Sequence, residues 1–189
     1  LKEVIKVMAL MGCKDSDAYL QASLYAYKLE PSADAAVGCA AMAFKKGDID
    51  GSVKFFDEAI NLETDNAKKA DNAYKAASVL ASAKKLSQAR SYAQKAISFN
   101  ENFGAPYILI AQLYAGNYKW NDEPALNKCT FFAAIDKLQR AKAVDPSVAE
   151  EANKLISSYS AYTPEAKDLF MLGYKAGDRI TIGGWIGET

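Results

Sequence analysis

The sequence predicts an all-α fold built from repeated helix pairs, and three observations predict it. Apolar residues recur at helical spacing over nearly all of the 189 residues, without the alternation of half-buried strands. A short pattern of alanine, a large apolar residue and a break returns four times. Residues suited to starting and stopping helices stand between the copies.

The pattern is clearest in Asp57-Glu58-Ala59-Ile60-Asn61-Leu62. It recurs as Gln94-Lys95-Ala96-Ile97-Ser98-Phe99 and as Gln139-Arg140-Ala141-Lys142-Ala143-Val144-Asp145-Pro146. A weaker copy is Leu24-Tyr25-Ala26-Tyr27-Lys28-Leu29-Glu30-Pro31. Ala26, Ala59, Ala96 and Ala141 are spaced by 33, 37 and 45 residues, and small Ser52, Ala89 and Ala134 stand seven residues before the last three. A period of about 34 residues with insertions is the mark of stacked two-helix units. Ser32 and Asp48 can cap the free amides of the helices after them. Asp145-Pro146 and Thr163-Pro164 each set a capping side chain before a proline suited to the first helical turn. Helix pairs are therefore expected near 2–29, 33–62, 68–99 and 103–144, then a single helix near 147–161. The competing reading is an unrelated helical bundle whose alanines coincide.

These units resemble tetratricopeptide repeats. The third matches best, with Tyr107-x2-Ile110-Ala111-x2-Tyr114, then Ala134-x3-Leu138, then Pro146. The unit from Ala33 to Asn66 supplies Gly47-Asp48-Ile49 at its turn, then Ser52-x3-Phe56 and Ala59. No unit has the family's opening tryptophan, and alanine stands for its first-helix glycine, though a small side chain still lets helices approach to about 8–10 Å. The resemblance implies a right-handed α-α superhelix, a solenoid of repeats over 1–162, with 163–189 as a capping helix and glycine-rich tail. That ending, G-G-W-I-G-E-T at 183–189, is similar to a bacterial tetratricopeptide subgroup without a defined activity. It implies a bacterial source, with the periplasm ahead of the cytoplasm.

Two places break the period. About eleven residues are inserted between the helices of the third unit, within Gly116 to Cys129, and they carry Tyr118 and Trp120. Loops on the edge of a repeat array often carry function, and amphipathic rings suit the centre of an interface. The same rings could instead fold back over their own unit. The second break is the tail, where five of the eleven glycines fall in the last seventeen residues. There Ile180-Thr181-Ile182 alternates like a short extended segment, and strand is expected only after Gly177. The tail is expected to dock, covering Leu155, Ile156 and Tyr159 of the last full helix with Leu169-Phe170-Met171-Leu172, Ile180, Ile182, Trp185 and Ile186.

Composition excludes several functions. Lys plus Arg and Asp plus Glu are both 23, so the chain lacks the concentrated positive charge of a nucleic-acid binder. No apolar run approaches the roughly 18 residues of a membrane span. Histidine, the commonest general base and metal ligand, is absent, and Cys13, Cys39 and Cys129 lie too far apart in sequence for a C-x-x-C pair. Ser82-Ala83-Lys84-Lys85 fits S-x-x-K without that fold's other motifs. Asp48-Ile49-Asp50-Gly51 lacks the first acid that a calcium loop requires. Neither a cofactor nor an enzymatic activity is expected. The chain opens at Leu1 in apolar helical sequence, which implies a natural start further upstream, with room for a signal peptide.

The resemblance further implies that first helices line a groove. Carried over, the partner-facing candidates are Met8, Phe44, Tyr74, Ile108, Gln112 and Asn153, beside Tyr118 and Trp120 of the loop. The family's carboxylate clamp has Lys and Asn where this chain has Val37 with Ala41 and Tyr74 with Ser78, so a chaperone-tail partner is not expected. The expectation is a scaffold or adaptor that binds an apolar or aromatic protein segment in the groove. The alternative is a structural subunit of a larger envelope assembly, held by its edges.

Overall fold

The computed structural model describes residues 2–13 and 16–189, and every regular element among them is helical. By packing, the chain groups into two compact units, 1–100 and 101–189.

The first unit holds α1 (Lys2–Leu10), α2 (Asp17–Leu29), α3 (Ala33–Lys45), α4 (Ile49–Leu62), α5 (Asn66–Ser82) and α6 (Leu86–Phe99). α3 packs along α4 and α5 along α6, while α2–α3 and α4–α5 contacts join successive hairpins. Small residues permit this. Ala59, Ala89 and Ala96 are fully buried, as is Ser52. Gly38 meets Ser23 so closely that a Cβ on it would stand 2.0 Å from Ser23 Oγ. Ser32 Oγ accepts from Ala35 N and Asp48 Oδ1 from Gly51 N, as their positions in the sequence suggest. Between α3 and α4 the chain reverses through Gly47 at φ 78°; between α5 and α6, Lys84 takes the same left-handed conformation at φ 57°. Across hairpins, Asp57 of α4 accepts from Tyr92 Oη and from Lys95 Nζ of α6.

The second unit holds α7 (Gly104–Gly116), α8 (Pro124–Lys128), α9 (Thr130–Val144), a 3-10 turn (Pro146–Val148), α10 (Ala149–Ser160) and α11 (Ala166–Met171). α7 pairs with α9, and α10 packs on α9. Ala134 and Ala141 are fully buried at the α9 contact face, beside Ala111, Tyr114 and Leu138. Asp145 ties the unit's ends together. Its Oδ2 accepts from Gly104 N at 3.0 Å and its Oδ1 from Ser147 N at 3.1 Å.

Three expectations are corrected. Thr163 does not cap a helix: its hydroxyl donates back to Ser160 O, and α11 begins only at Ala166. The tail contains no strand among the described residues. Residues 180–189 instead close a loop through one backbone bond, Ile182 N to Glu188 O at 2.7 Å, because glycine turns leave no facing partner for a ladder. Finally, the tail docks on α7, α9 and the insertion rather than on α10. Ile182 and Ile186 are buried, Trp185 meets Tyr114 edge-on at 5.6 Å, and Tyr114 Oη donates to Glu188 Oε1 at 2.6 Å. Lys137 Nζ adds an ion pair with Glu188 at 2.9 Å. Phe170 and Met171 of α11 are 71% and 85% exposed, so they do not cover α10.

Candidate functional site

The insertion after α7 is a built element. Asn127, which is nearly buried, accepts through Oδ1 from Trp120 N and Asn121 N and donates through Nδ2 to Asn121 O. Thr130 is fully buried; its hydroxyl donates to Tyr118 O and accepts from Trp120 Nε1 at 3.1 Å. Glu123 caps α8, with Pro124 in its first turn. These bonds satisfy the polar atoms of an irregular segment and so hold Tyr118 and Trp120 in place.

Tyr118 is thereby directed to an aromatic cavity. Its ring lies 5.4 Å from that of Phe131, in the first turn of α9. Phe131 also meets Tyr159 of α10 at 5.8 Å and stacks on Tyr162 at 5.4 Å. These separations suit edge and offset aromatic contacts. Phe131 is buried as the floor, while Tyr162 is 58% exposed at the rim. The open volume is about 430 Å³, bounded also by Gln112, Ala115 and Gly116 of α7 and by Lys128 of α8. Cavities of roughly 300–1,000 Å³ with mostly apolar walls and few polar groups are typical small-ligand or side-chain receptors. Burial pushes the Tyr159 phenol up.

The structure distributes the sequence-derived candidates unevenly. Gln112 and Tyr118 meet at the aromatic cavity. Trp120 is turned away from it, with its indole against Gly183 and Gly184 of the tail. Ile108 is only 4% exposed and belongs to the core of the second unit. Asn153 is exposed on α10, accepting from Lys142 Nζ at 3.0 Å. In the first unit Met8 packs on the cluster of Ile5, Tyr19 and Leu20, Tyr74 on that of Ile60, Ala73 and Ala96, and Phe44 is half exposed. A second cavity of about 430 Å³ opens there between α1, α3 and α5, lined among others by Asp34, Val37 and Asp71. Phe131, Tyr159 and Tyr162 lie outside the groove positions read from the sequence, because only the packing of α10 on α9 gathers them.

Other chemistry has little to work with. Among the described residues no cluster of three Asp, Glu or Cys side chains could hold a metal ion. Cys39 and Cys129 are buried; desolvation pushes the Cys39 thiol up to about 11 and raises Cys129 as well. Thiols held protonated are poor nucleophiles. No described helix is long and apolar enough to cross a membrane.

The arrangement of α3–α4, α5–α6 and α7–α9 as successive helix hairpins is that of an all-α tetratricopeptide-type repeat fold. Two crystal structures of MamA share it. One is 15% identical, covers 85% of this chain and 84% of its own, and superposes with a TM-score of 0.57. The other is also 15% identical, covers 89% and 93%, and has a TM-score of 0.56. No family model and no curated protein matches the chain in sequence. At this identity the likeness is one of fold.

Proposed function

We propose that the chain is a non-enzymatic protein-interaction scaffold whose second unit receives an apolar or aromatic side chain of a partner protein. The observation that carries this reading is the open cavity walled by Tyr118, Phe131, Tyr159 and Tyr162. Four rings at one opening supply large contact area at low side-chain entropy cost, the property that enriches aromatics at interface centres. The repeat fold supports a protein partner in general. The absence of Lys at positions 37 and 74 speaks against a terminal-carboxylate clamp, and Ser78 spends its hydroxyl on Tyr74 O.

A photo-crosslinking residue placed at Gln112 in the native host tests it. A discrete cross-linked protein, lost when Tyr162→Ala and Tyr159→Ala are combined, is the expected result. Cross-links that persist in that double variant would reject the cavity. The alternative, a subunit of an envelope assembly held by its edges, draws on the exposure of Leu10 and Met11 at the end of α1 and of Phe170 and Met171 on α11. Cross-linking only from those positions would favour it.

A further inference from the structure

The short helix α11 ends in apolar side chains that its own copy leaves in water. Met171 is 85% exposed, more than any other large apolar side chain described in the second unit, and Phe170 beside it is nearly as open. Leu172 continues the exposed run. Contiguous apolar surface of this kind marks a contact site. The helix also stands beside the aromatic cavity. It begins at Ala166, shortly after Tyr162 of the cavity rim, and packs on α8, whose Lys128 lines that cavity. Glu165, just before α11, feels the same neighbour. Its pairing with Lys167 at 2.8 Å holds its carboxyl below the usual range, and Lys128 adds to the effect more weakly. Projection and cavity therefore share one surface of the second unit.

The two are also chemically complementary. The cavity presents the rings of Tyr118, Phe131, Tyr159 and Tyr162 and a single cation, the exposed Lys128. The helix presents a thioether and a carboxylate, because Asp168 stands one turn before Met171 on the same side of α11. A flexible, polarizable thioether is favoured against aromatic rings and fills an irregular space well. Entry of Met171 into such a cavity would carry Asp168 to the rim, where Lys128 stands. Within one copy the match goes unused, since the cavity is open and Met171 lies outside it. A surface that holds both a projection and its receptor is self-complementary, and a two-fold axis through it lets each copy fill the other.

We propose that the occupant of the aromatic cavity is a second copy of this chain, Met171 of each α11 entering the other copy's cavity with Asp168 set against Lys128, in an isologous dimer. The proposal rests on the cavity being a receptor for a protein side chain and names that side chain, so it can fail while the broader reading stands. Sedimentation equilibrium of the full chain over a concentration series is the test, and a single monomer–dimer equilibrium is expected. Met171→Glu changes an exposed side chain and should weaken the dimer about tenfold or more. Lys128→Glu and Asp168→Lys should each weaken it, and the two combined in one chain should recover most of the loss, because the pair is then restored with its signs exchanged. Tyr159→Ala with Tyr162→Ala should abolish the dimer from the cavity side. Mixed with Met171→Glu, that variant should form a heterodimer through the one joint left intact, although neither dimerises alone. A monomeric wild type, a dimer within twofold of wild type in Met171→Glu, no recovery in the charge exchange, or an open-ended series of larger species would each overturn the proposal. So would a dimer that survives the double tyrosine variant. A monomeric wild type in which Gln112 still cross-links to a different protein would overturn it and leave the cavity reading intact.

Discussion

The backbone of Gly183 lies flat on the indole of Trp120: a Cβ at position 183 would stand 2.7 Å from ring carbon Cε3. The ring cannot yield freely, because its Nε1 donates to Thr130 and its backbone N–H to Asn127. The insertion and the tail, the two departures from the repeat, are thus one packed structure. Gly183→Val should overpack this contact and destabilise the second unit by about 1–3 kcal/mol. A lowered melting transition with a red-shifted tryptophan emission is the expected readout; unchanged melting would mean that the tail sits elsewhere.

Removing the loop at 180–189 should be more costly. It deletes the buried Ile182 and Ile186, each worth roughly 1.5–3 kcal/mol when fully buried. It also leaves Tyr114 and Lys137 without Glu188. Differential scanning calorimetry of the truncated chain should show a loss of stability; a free tail would show none.

Lys84 holds the left-handed position that glycine fills in the α3–α4 turn. A non-glycine residue pays roughly 1–2 kcal/mol there, partly offset by glycine's greater freedom when unfolded. Lys84→Gly should therefore stabilise the first unit by about 0.5–1 kcal/mol in urea titration. Gly47→Lys should do the reverse.

Asp145 supplies a pH dependence. The Ser147 hydroxyl first, then the Gly104 amide, hold its carboxyl below the ordinary carboxylate value of 3.8. A depressed folded value means that stability is present above the unfolded value and lost as pH falls through the folded one. Melting of the wild type should thus drop as the pH falls below the ordinary carboxylate value, less so in Asp145→Asn. Equal acid sensitivity in both would place the effect on other carboxylates.

Ala96 has no exposed surface and lies where α6 meets α5. Ala96→Leu should cost about 1–3 kcal/mol, since a close helix contact cannot take three further carbons. An unaltered urea midpoint would show that the helices are not in contact there.

Much of the first unit was legible because its signals are local. A helix period, a small residue at each crossing and a capping side chain act within a few residues, so Ser32, Asp48, Ala59 and Ala96 could be read from their neighbours alone. The same logic misjudged Thr163, whose hydroxyl found the Ser160 carbonyl before any helix began. The candidate sites were less legible. Tyr118 and Gln112 were identified from a loop and a helix face, yet Phe131, Tyr159 and Tyr162 join them only because α10 lies on α9.

By itself, then, the sequence determined an all-helical chain of hairpins, their approximate bounds and the small residues that let them touch. Periodicity and capping are properties of neighbouring residues, and they are written in order along the chain. Only the tertiary structure decided that Trp120 belongs to the tail's contact, that Ile108 is core, and that Phe131, Tyr159 and Tyr162 wall one cavity. Those outcomes depend on which side chains meet across tens of residues, as Tyr114 meets Glu188, and no local pattern encodes such a meeting.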